Sequence, residues 1–100
     1  MGGRHEEVSY YVYIATNRTR TFYTGMTDDL RRRQHEHATG QSAFTAKYHI
    51  DHIIYFETFD DAMKAAAREQ QLKRYTRRKK IALIESLNPN WSEGGVPWLP

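Results

Sequence analysis

The alternation of apolar and polar positions is clearest near the start of the chain. Residues 8–16 read VSYYVYIAT and are rich in the β-branched and aromatic side chains that favour strands. One face of this strand would carry Val8, Tyr10, Val12 and Ile14, and the other face Tyr11 and Tyr13. Residues 21–24 are again β-type after a polar turn at 17–20, so the pattern predicts a hairpin that ends at Gly25.

A helix and a third strand are predicted after the hairpin. The helix is expected from about Asp29 to Thr39, because Thr27 or Asp28 can cap its first turn and Gly40 can end it. Residues 50–57 contain the apolar run IIYF, which is typical of a short buried strand. The pattern to this point is therefore β-β-α-β.

The last third of the chain predicts two more helices. Asp60 and Asp61 favour a helix N-terminus, and an alanine-rich segment continues to about Tyr75. Another helix is expected at about 77–87, ended by Asn88 and Pro89. The order β-β-α-β-α-α predicts an α+β domain with a small three-stranded mixed sheet flanked by helices. This domain would span 8–91, between a disordered N-terminal segment at 1–7 and a C-terminal tail at 92–100.

Size and composition limit the chemistry of this domain. A chain of 100 residues, 39% of them hydrophobic, can fold around one small core. The absence of cysteine excludes disulfides, thiolate nucleophiles and cysteine-ligated zinc. No apolar stretch approaches the roughly 20 residues of a membrane span and no signal peptide is visible, so we expect a cytoplasmic protein without a membrane partner.

The positive charge of the chain is concentrated in two places. The net charge is only +3, but residues 64–80 contain eight basic side chains and a single acid, Glu69. A second basic cluster occupies 31–33. Such clusters fit a polyanion, and phosphate backbones are the usual one. A solvated helix face explains the same charges equally well.

Polar residues occupy helix positions where apolar ones are expected. Arg33 and His37 follow Leu30 by three and seven positions and so share its face, unless this short helix is exposed and the face is wet. Glu69 lies one heptad beyond Ala62 on the alanine-rich side of the next helix. A carboxylate there must be paired or bind a cation. The simpler alternative is a surface salt bridge from Glu69 to a lysine one turn later.

Two tyrosines complete a set of side chains that could take part in a reaction. Tyr13 and Tyr23 lie on the two predicted hairpin strands, where aromatic side chains usually only pack. Taken with Arg33, His37 and Glu69, they supply a hydroxyl, a fixed cation, an imidazole and a hard oxygen ligand. This inventory suits phosphodiester hydrolysis.

The order of these residues resembles the GIY-YIG nuclease superfamily, in particular its small single-domain bacterial members. The two half-motifs are Tyr11-Val12-Tyr13 and Tyr23-Thr24-Gly25, with the final tyrosines ten positions apart. Further matching segments are TDDLRRRQHEH at 27–37, FT at 44–45 with Tyr48, RE at 68–69 with LK at 72–73, and NP at 88–89 with Trp91. The chain departs from the pattern at Tyr11, where the motif name has glycine, and at Met26, where repair-type members carry lysine.

The resemblance implies a role for each matched residue. The matched residues are Tyr13, Tyr23 and Gly25 from the two half-motifs, Arg33 and His37 from the first helix, Glu69 as the metal-binding glutamate and, as a further candidate, Asn88 as a C-terminal polar residue. The implied protein is a metal-dependent endonuclease whose substrate is nucleic acid, with DNA as the first expectation. One Mg²⁺ or Mn²⁺ on Glu69 would polarise the phosphate, and Arg33 would stabilise its developing charge.

The same resemblance assigns the activation of water to a tyrosine assisted by His37. Because tyrosine has an ordinary pKa of about 10, the metal and Arg33 would have to lower that value. The sequence leaves open whether Tyr13 or Tyr23 acts. A backbone clamp without base recognition would consist of Lys73, Arg74, Arg77, Arg78, Lys79 and Lys80.

Two other classes of function compete with the endonuclease. A nucleic-acid-binding module could keep the fold and the basic surface with little or no cleavage. A purely structural basic protein would explain neither the position of Glu69 nor the spacing of the tyrosines. Protein partners and oligomeric state have no signal in the sequence.

Overall fold

The protein is described here by a computed structural model, which covers residues 8–41 and 46–92. Within these residues the elements are β1 (Tyr10–Thr16), β2 (Phe22–Thr27), α1 (Leu30–Ala38), β3 (His52–Phe59), α2 (Ala62–Lys73) and α3 (Arg77–Leu87). This confirms the predicted α+β class and the order β-β-α-β-α-α. The predicted N-terminal segment and nearly all of the predicted C-terminal tail lie outside the described residues. No helix in the described part has the length and apolarity needed to cross a membrane.

The sheet has the strand order β2-β1-β3, and β1 is antiparallel to both of its neighbours. The prediction of a mixed sheet is therefore wrong. Two antiparallel pairings make β3 run in the same direction as β2, as expected for strands joined through a helix. Strands β2 and β3 do not pair with each other, because β1 lies between them. The central strand β1 is thus the pairing partner of both edge strands, β2 and β3.

Three predicted boundaries differ from the structure, and two of them differ because the hairpin ladder is longer than the sequence indicates. Strand β2 continues past Gly25 to Thr27, which is paired with Tyr11 of β1. Since Thr27 is held in the sheet, the N-cap of α1 is neither Thr27 nor Asp28 but Asp29, whose side chain accepts a hydrogen bond from the Arg32 amide. At the other end of the fold, α2 stops at Lys73, two residues before the predicted Tyr75.

Helices cover both faces of the sheet, which explains why the centre of β1 is buried on both sides. On one face, Val12 packs with Ala65 and Leu72 of α2. On the opposite face, Tyr13 packs with Leu30 of α1. The alternation of side chains along a strand therefore sends neighbouring residues of β1 into two separate layers. The predicted division of β1 into two faces is confirmed.

A hydrogen-bonded ion pair joins the second helix to the sheet. Arg68 of α2 donates from Nε and Nη2 to the two carboxylate oxygens of Glu57 on β3, at 2.8 and 2.9 Å. The hydroxyl of Tyr55 donates to the same carboxylate at 2.5 Å. Burial raises the pKa of Glu57, but the hydrogen bonds from Arg68 and Tyr55 outweigh this and hold the pKa below its ordinary value. The bidentate geometry fixes the position of α2 on the sheet.

The Glu57→Ala substitution tests this connection. We expect it to lower the free energy of unfolding by about 2 kcal/mol, because the Arg68 guanidinium, which is 22% exposed, loses its partner. Asp60→Ala is the matched control, since Asp60 lies 3.8 Å from Lys64 in an exposed pair and should lose less than about 0.5 kcal/mol. Urea denaturation measures both values. Equal losses in the two variants would contradict a stabilising role for the Glu57 network.

Candidate active site

Three aromatic rings from two strands and one helix meet on the α1 side of the sheet. The hydroxyl of Tyr13 lies 2.8 Å from Nε2 of His37, and these residues are 0% and 2% exposed. The Tyr23 ring lies 6.2 Å from the Tyr13 ring and 5.5 Å from the imidazole, measured between centroids. His37 is therefore buried against the hairpin, and the alternative of a wet helix face does not apply to it.

Gly25 creates the space in which Tyr13 lies. The two residues are partners in the β1–β2 ladder. A Cβ atom on Gly25 would lie 2.6 Å from the Tyr13 hydroxyl oxygen, 2.7 Å from Tyr13 Cζ and 2.9 Å from Tyr23 Cε2. Any other residue would displace both tyrosine rings. The glycine of the second half-motif thus permits a close approach between two strands.

The charges of two helices act on the Tyr13 hydroxyl. Burial raises the pKa of Tyr13 most strongly, the Tyr23 phenol raises it further, and Arg33 of α1 lowers it. The Glu69 carboxylate of α2 also raises it. The net result is a pKa well above the ordinary value, which is the opposite of the lowered value expected for a site tyrosine. Burial therefore favours the neutral phenol of Tyr13, because it penalises the phenolate.

Burial and charge keep His37 neutral. Burial lowers its pKa most, the Arg33 cation lowers it further, and Glu36 partly offsets both effects. When the neutral imidazole carries its proton on Nδ1, its Nε2 accepts a hydrogen bond from the Tyr13 hydroxyl. Among the described residues, Nδ1 has no hydrogen-bond partner. The pair can therefore hold the Tyr13 proton at a defined atom.

Arg33 is held beside this pair by an acid on its own helix. Its Nε lies 3.0 Å from Oε1 of Glu36, but the angle is too poor for a hydrogen bond. The contact is therefore a charge interaction, and Nε has no hydrogen-bond partner among the described residues. A guanidinium in this state retains its capacity to bind a phosphate through several N–H groups.

Glu69 combines the two arrangements that the sequence left open. Its side chain is 18% exposed, and Oε2 lies 3.4 Å from Nζ of Lys73 one turn later. The helical salt bridge is thus present, although the same carboxylate lies near enough to Tyr13 to raise the pKa of its hydroxyl. Among the described residues, no three His, Asp or Glu side chains form a cluster that would hold a metal ion. A single accessible carboxylate fits a hard cation such as Mg²⁺, which takes one or two protein carboxylates and otherwise water and phosphate oxygens.

The predicted clamp residues have different environments. Lys73 pairs with Glu69, whereas Nη1 of Arg77 donates to the Arg20 carbonyl at 2.7 Å. Lys79 lies over the ring of Tyr75. The remaining members are the exposed Arg74 and Arg78 and the partly buried Lys80, whose pKa is lowered by burial. The run from Lys73 to Lys80 is therefore not a uniform row of free cations.

The structure does not bring Asn88 to the tyrosines. Asn88 is buried at the end of α3, where its Nδ2 donates to the Ile54 carbonyl at 3.1 Å and its Oδ1 accepts from the Ser92 amide at 2.8 Å. These contacts join α3 to β3 and account for the side chain. Residues 44 and 45, which belong to the sequence resemblance, lie outside the described residues.

Sequence reasoning missed the arginines of the β1–β2 turn. Arg20 contacts Arg77 across the fold, and Arg18 precedes it by two residues. The available signal was the pair of cations in the polar segment NRTR at 17–20. That signal is weak, because turns are commonly polar and charged.

Comparisons with known proteins give matches over most of this chain. Residues 9–82 match the family model of the GIY-YIG catalytic domain. The UPF0213 protein HQ_3675A of Haloquadratum walsbyi is 40% identical over 77 residues, which cover 76% of this chain and 86% of that protein. A UPF0213 protein of Staphylococcus aureus is 36% identical over 78 residues, covering 77% and 95%. The solution NMR structure of the UPF0213 protein BH0048 from Bacillus halodurans superposes with a TM-score of 0.53 at 30% identity, covering 83% of this chain and 89% of that one.

The low pKa of His37 makes the stability of the fold depend on pH. Because the native pKa lies below the ordinary value of 6.5, the unfolded chain binds a proton first as the pH falls, so native stability decreases on acidification below about pH 6.5. We expect the wild-type melting temperature to fall more steeply than that of His37→Gln between about pH 7.5 and 5.5. His35→Gln, at an exposed position of the same helix, is the control and should retain the wild-type slope. Parallel curves for wild type and His37→Gln would contradict the assignment.

Proposed function

This chain belongs to the GIY-YIG family, and on that premise we propose that it is a metal-dependent endonuclease that hydrolyses phosphodiester bonds of nucleic acid, DNA being the expected substrate. The observation that carries the proposal is that Arg33 and Glu69 both influence the Tyr13 hydroxyl, since Arg33 lowers its pKa and Glu69 raises it. These side chains come from helices that pack on opposite faces of the sheet. A cation and a carboxylate that meet beside tyrosines are the parts that phosphodiester hydrolysis requires.

Glu69 is the residue that would hold one Mg²⁺ or Mn²⁺ ion. Its single accessible carboxylate suits an ion that keeps most of its shell for water and substrate oxygens. When bound, this ion supplies Lewis-acid polarisation of the scissile phosphate and charge stabilisation of the leaving oxygen. Lys73 lies 3.4 Å from Oε2 of this carboxylate and would share it with a bound cation.

Arg33 would bind the non-bridging oxygens of the scissile phosphate. Negative charge increases on these oxygens in the transition state, and a guanidinium fixed before the substrate arrives stabilises that charge without reorganisation. Glu36 holds Arg33 in place through a charge contact at 3.0 Å. The arginine therefore acts from a defined position on α1.

The two tyrosines differ in burial, which gives them different roles. Tyr13 is completely buried, so its hydroxyl has no access to an attacking water. Tyr23 is only partly buried, and its ring packs against both Tyr13 and His37. We assign the orientation of water and the acceptance of its proton to Tyr23. Tyr13 and His37 then act as positioning residues beneath it.

Loss of Glu69 or Arg33 should abolish cleavage without abolishing binding. With Mg²⁺ and labelled single-stranded, duplex and branched DNA, and with RNA, we expect Glu69→Gln and Arg33→Ala to lower the cleavage rate by about 10²-fold or more. Asp60→Asn and Arg31→Ala are the matched controls, because both residues are exposed and outside the site. They should stay within about twofold of wild type.

Two other results would redirect the proposal. Equal cleavage by wild type, Glu69→Gln and Arg33→Ala would overturn the site. A wild-type protein that binds every substrate but never cuts would instead support the nucleic-acid-binding module.

Removal of single hydroxyl groups separates the two tyrosines. Tyr23→Phe should lower the rate by about 10²-fold or more, the usual contribution of a positioned proton acceptor. Tyr13→Phe keeps the ring over Gly25 and loses the buried hydroxyl that bonds His37 and lies under the influence of Arg33, so its rate should fall by less than about tenfold. Single-turnover cleavage measures both. A larger loss for Tyr13→Phe than for Tyr23→Phe would reverse the assignment.

A further inference from the structure

A second basic surface lies at the end of the sheet formed by the β1–β2 turn. Arg18 and Arg20 of this turn are both exposed. Arg77, the first residue of α3, reaches the turn and donates from Nη1 to the Arg20 carbonyl at 2.7 Å. We call Arg18, Arg20 and Arg77 the hairpin-end surface. It joins a loop near the start of the chain to the basic segment near its end.

Aromatic rings hold two of these arginines in place. The guanidinium carbon of Arg20 lies 3.9 Å from the centroid of the Trp91 ring, and that of Arg77 lies 4.8 Å from the centroid of Phe22. The Trp91 and Phe22 rings stack on each other, with centroids 6.0 Å apart and 22° between the planes. A guanidinium stacked on a ring is already held in one orientation, so it loses little further freedom when a ligand binds. It still presents N–H groups at its rim. Both arginines are thus oriented before any ligand arrives.

The backbone of the turn is fixed by Asn17. Its Oδ1 accepts from the Thr21 amide at 2.8 Å and from the Thr19 hydroxyl at 3.1 Å. Its Nδ2 donates to the Tyr48 carbonyl at 2.6 Å. Arg20 occupies the left-handed region with φ of 60°, and its amide donates to the Asn17 carbonyl at 3.0 Å. The positions of Arg18 and Arg20 therefore do not depend on a flexible turn.

The hairpin-end surface borders a cleft whose chemistry favours an anion. The cleft has a volume of about 230 Å³, and its lining includes Arg18, Arg20, His52 and Trp91. Two carboxylates close to these side chains already have partners. Asp51 lies 2.7 Å from Nδ1 of His52, and Glu85 accepts from Nε1 of Trp91 at 2.7 Å. The arginines consequently carry the local excess of positive charge.

The spacing along β1 relates this surface to the candidate active site. Tyr13 and Thr16 lie on the same strand, and three residues of strand span about 10 Å. Thr16 lines the cleft beside the hairpin-end surface. Measured along the axis of a duplex, about 10 Å corresponds to roughly three phosphates of one strand. A nucleic-acid strand held at Arg33 and Glu69 would meet Arg18 and Arg20 a few nucleotides further on if it follows β1 toward the hairpin turn.

We propose that the hairpin-end surface is a second nucleic-acid contact, which holds backbone phosphates a few nucleotides from the bond that is cleaved. This inference rests on the proposed function and names how the same substrate is held. It adds Arg18 and Arg20 to the binding surface. It also changes the part played by Arg77, which acts with the hairpin and not as one member of a row on α3.

The test measures binding separately from cleavage. A fluorescein-labelled DNA duplex of about 20 base pairs is titrated with the full chain in EDTA, and its anisotropy is followed at several salt concentrations. The variants are Arg18→Gln, Arg20→Gln and the double variant, with Lys64→Gln as a control that removes one exposed cation on α2. Each lost phosphate contact should reduce the slope of log K against log salt by about one. The double variant should bind at least about fivefold more weakly at 0.1 M salt, and Lys64→Gln should match wild type.

Every outcome of this experiment decides the proposal. A reduced slope in Arg18→Gln alone supports it even if Arg20→Gln destabilises the fold through Trp91. Wild-type slopes in both single variants, or the same reduction in Lys64→Gln, overturn it. Inorganic phosphate is a further arm, because saturable chemical-shift changes at Arg20 together with unchanged DNA binding in the variants would show a small-anion site instead. Failure here with intact cleavage leaves the endonuclease standing, whereas arginine-dependent binding without cleavage refutes only the endonuclease.

Discussion

The pairing of Tyr13 with Gly25 across the hairpin determines the form of the candidate active site. Because Gly25 has no side chain, the Tyr13 ring lies against β2 and its hydroxyl reaches Nε2 of His37 at 2.8 Å. Tyr23 packs beside the same ring, so one missing Cβ sets the positions of three aromatic groups. The close packing also raises the pKa of Tyr13 and lowers that of His37, since both rings are buried.

The sheet brings together charges that the chain keeps apart. Helix α1 packs on the Tyr13 face of β1 and supplies Arg33, whereas α2 packs on the Val12 face and supplies Glu69. The bidentate pair between Glu57 and Arg68 fixes α2 at the residue next to Glu69. The position of the proposed metal ligand therefore depends on a partly buried contact on the α2 face of the sheet. Stability and site geometry are coupled through this one helix.

The basic segment from Lys73 to Lys80 makes contacts at two ends of the molecule. Lys73 neutralises Glu69, which keeps a partly buried carboxylate from standing alone. Arg77 turns to the hairpin, where it packs on Phe22 and binds the Arg20 carbonyl. The segment thus runs from the proposed metal ligand to the hairpin-end surface. A nucleic-acid backbone following this course would meet cations from three parts of the sequence.

The sequence by itself determined the order of the elements and the two faces of β1, because periodicity involves residues that are near one another in the chain, and its resemblance to a known family supplied the site candidates. The tertiary structure alone decided that the sheet is antiparallel throughout, which depends on how β1 pairs with β2 and β3, and that Asp29 caps α1, which depends on the length of the β1–β2 ladder. It also decided that the pKa of Tyr13 is raised and that Arg20 joins Arg77. Burial and charge at an atom are sums over neighbours from distant segments, and no local pattern records which segments will meet.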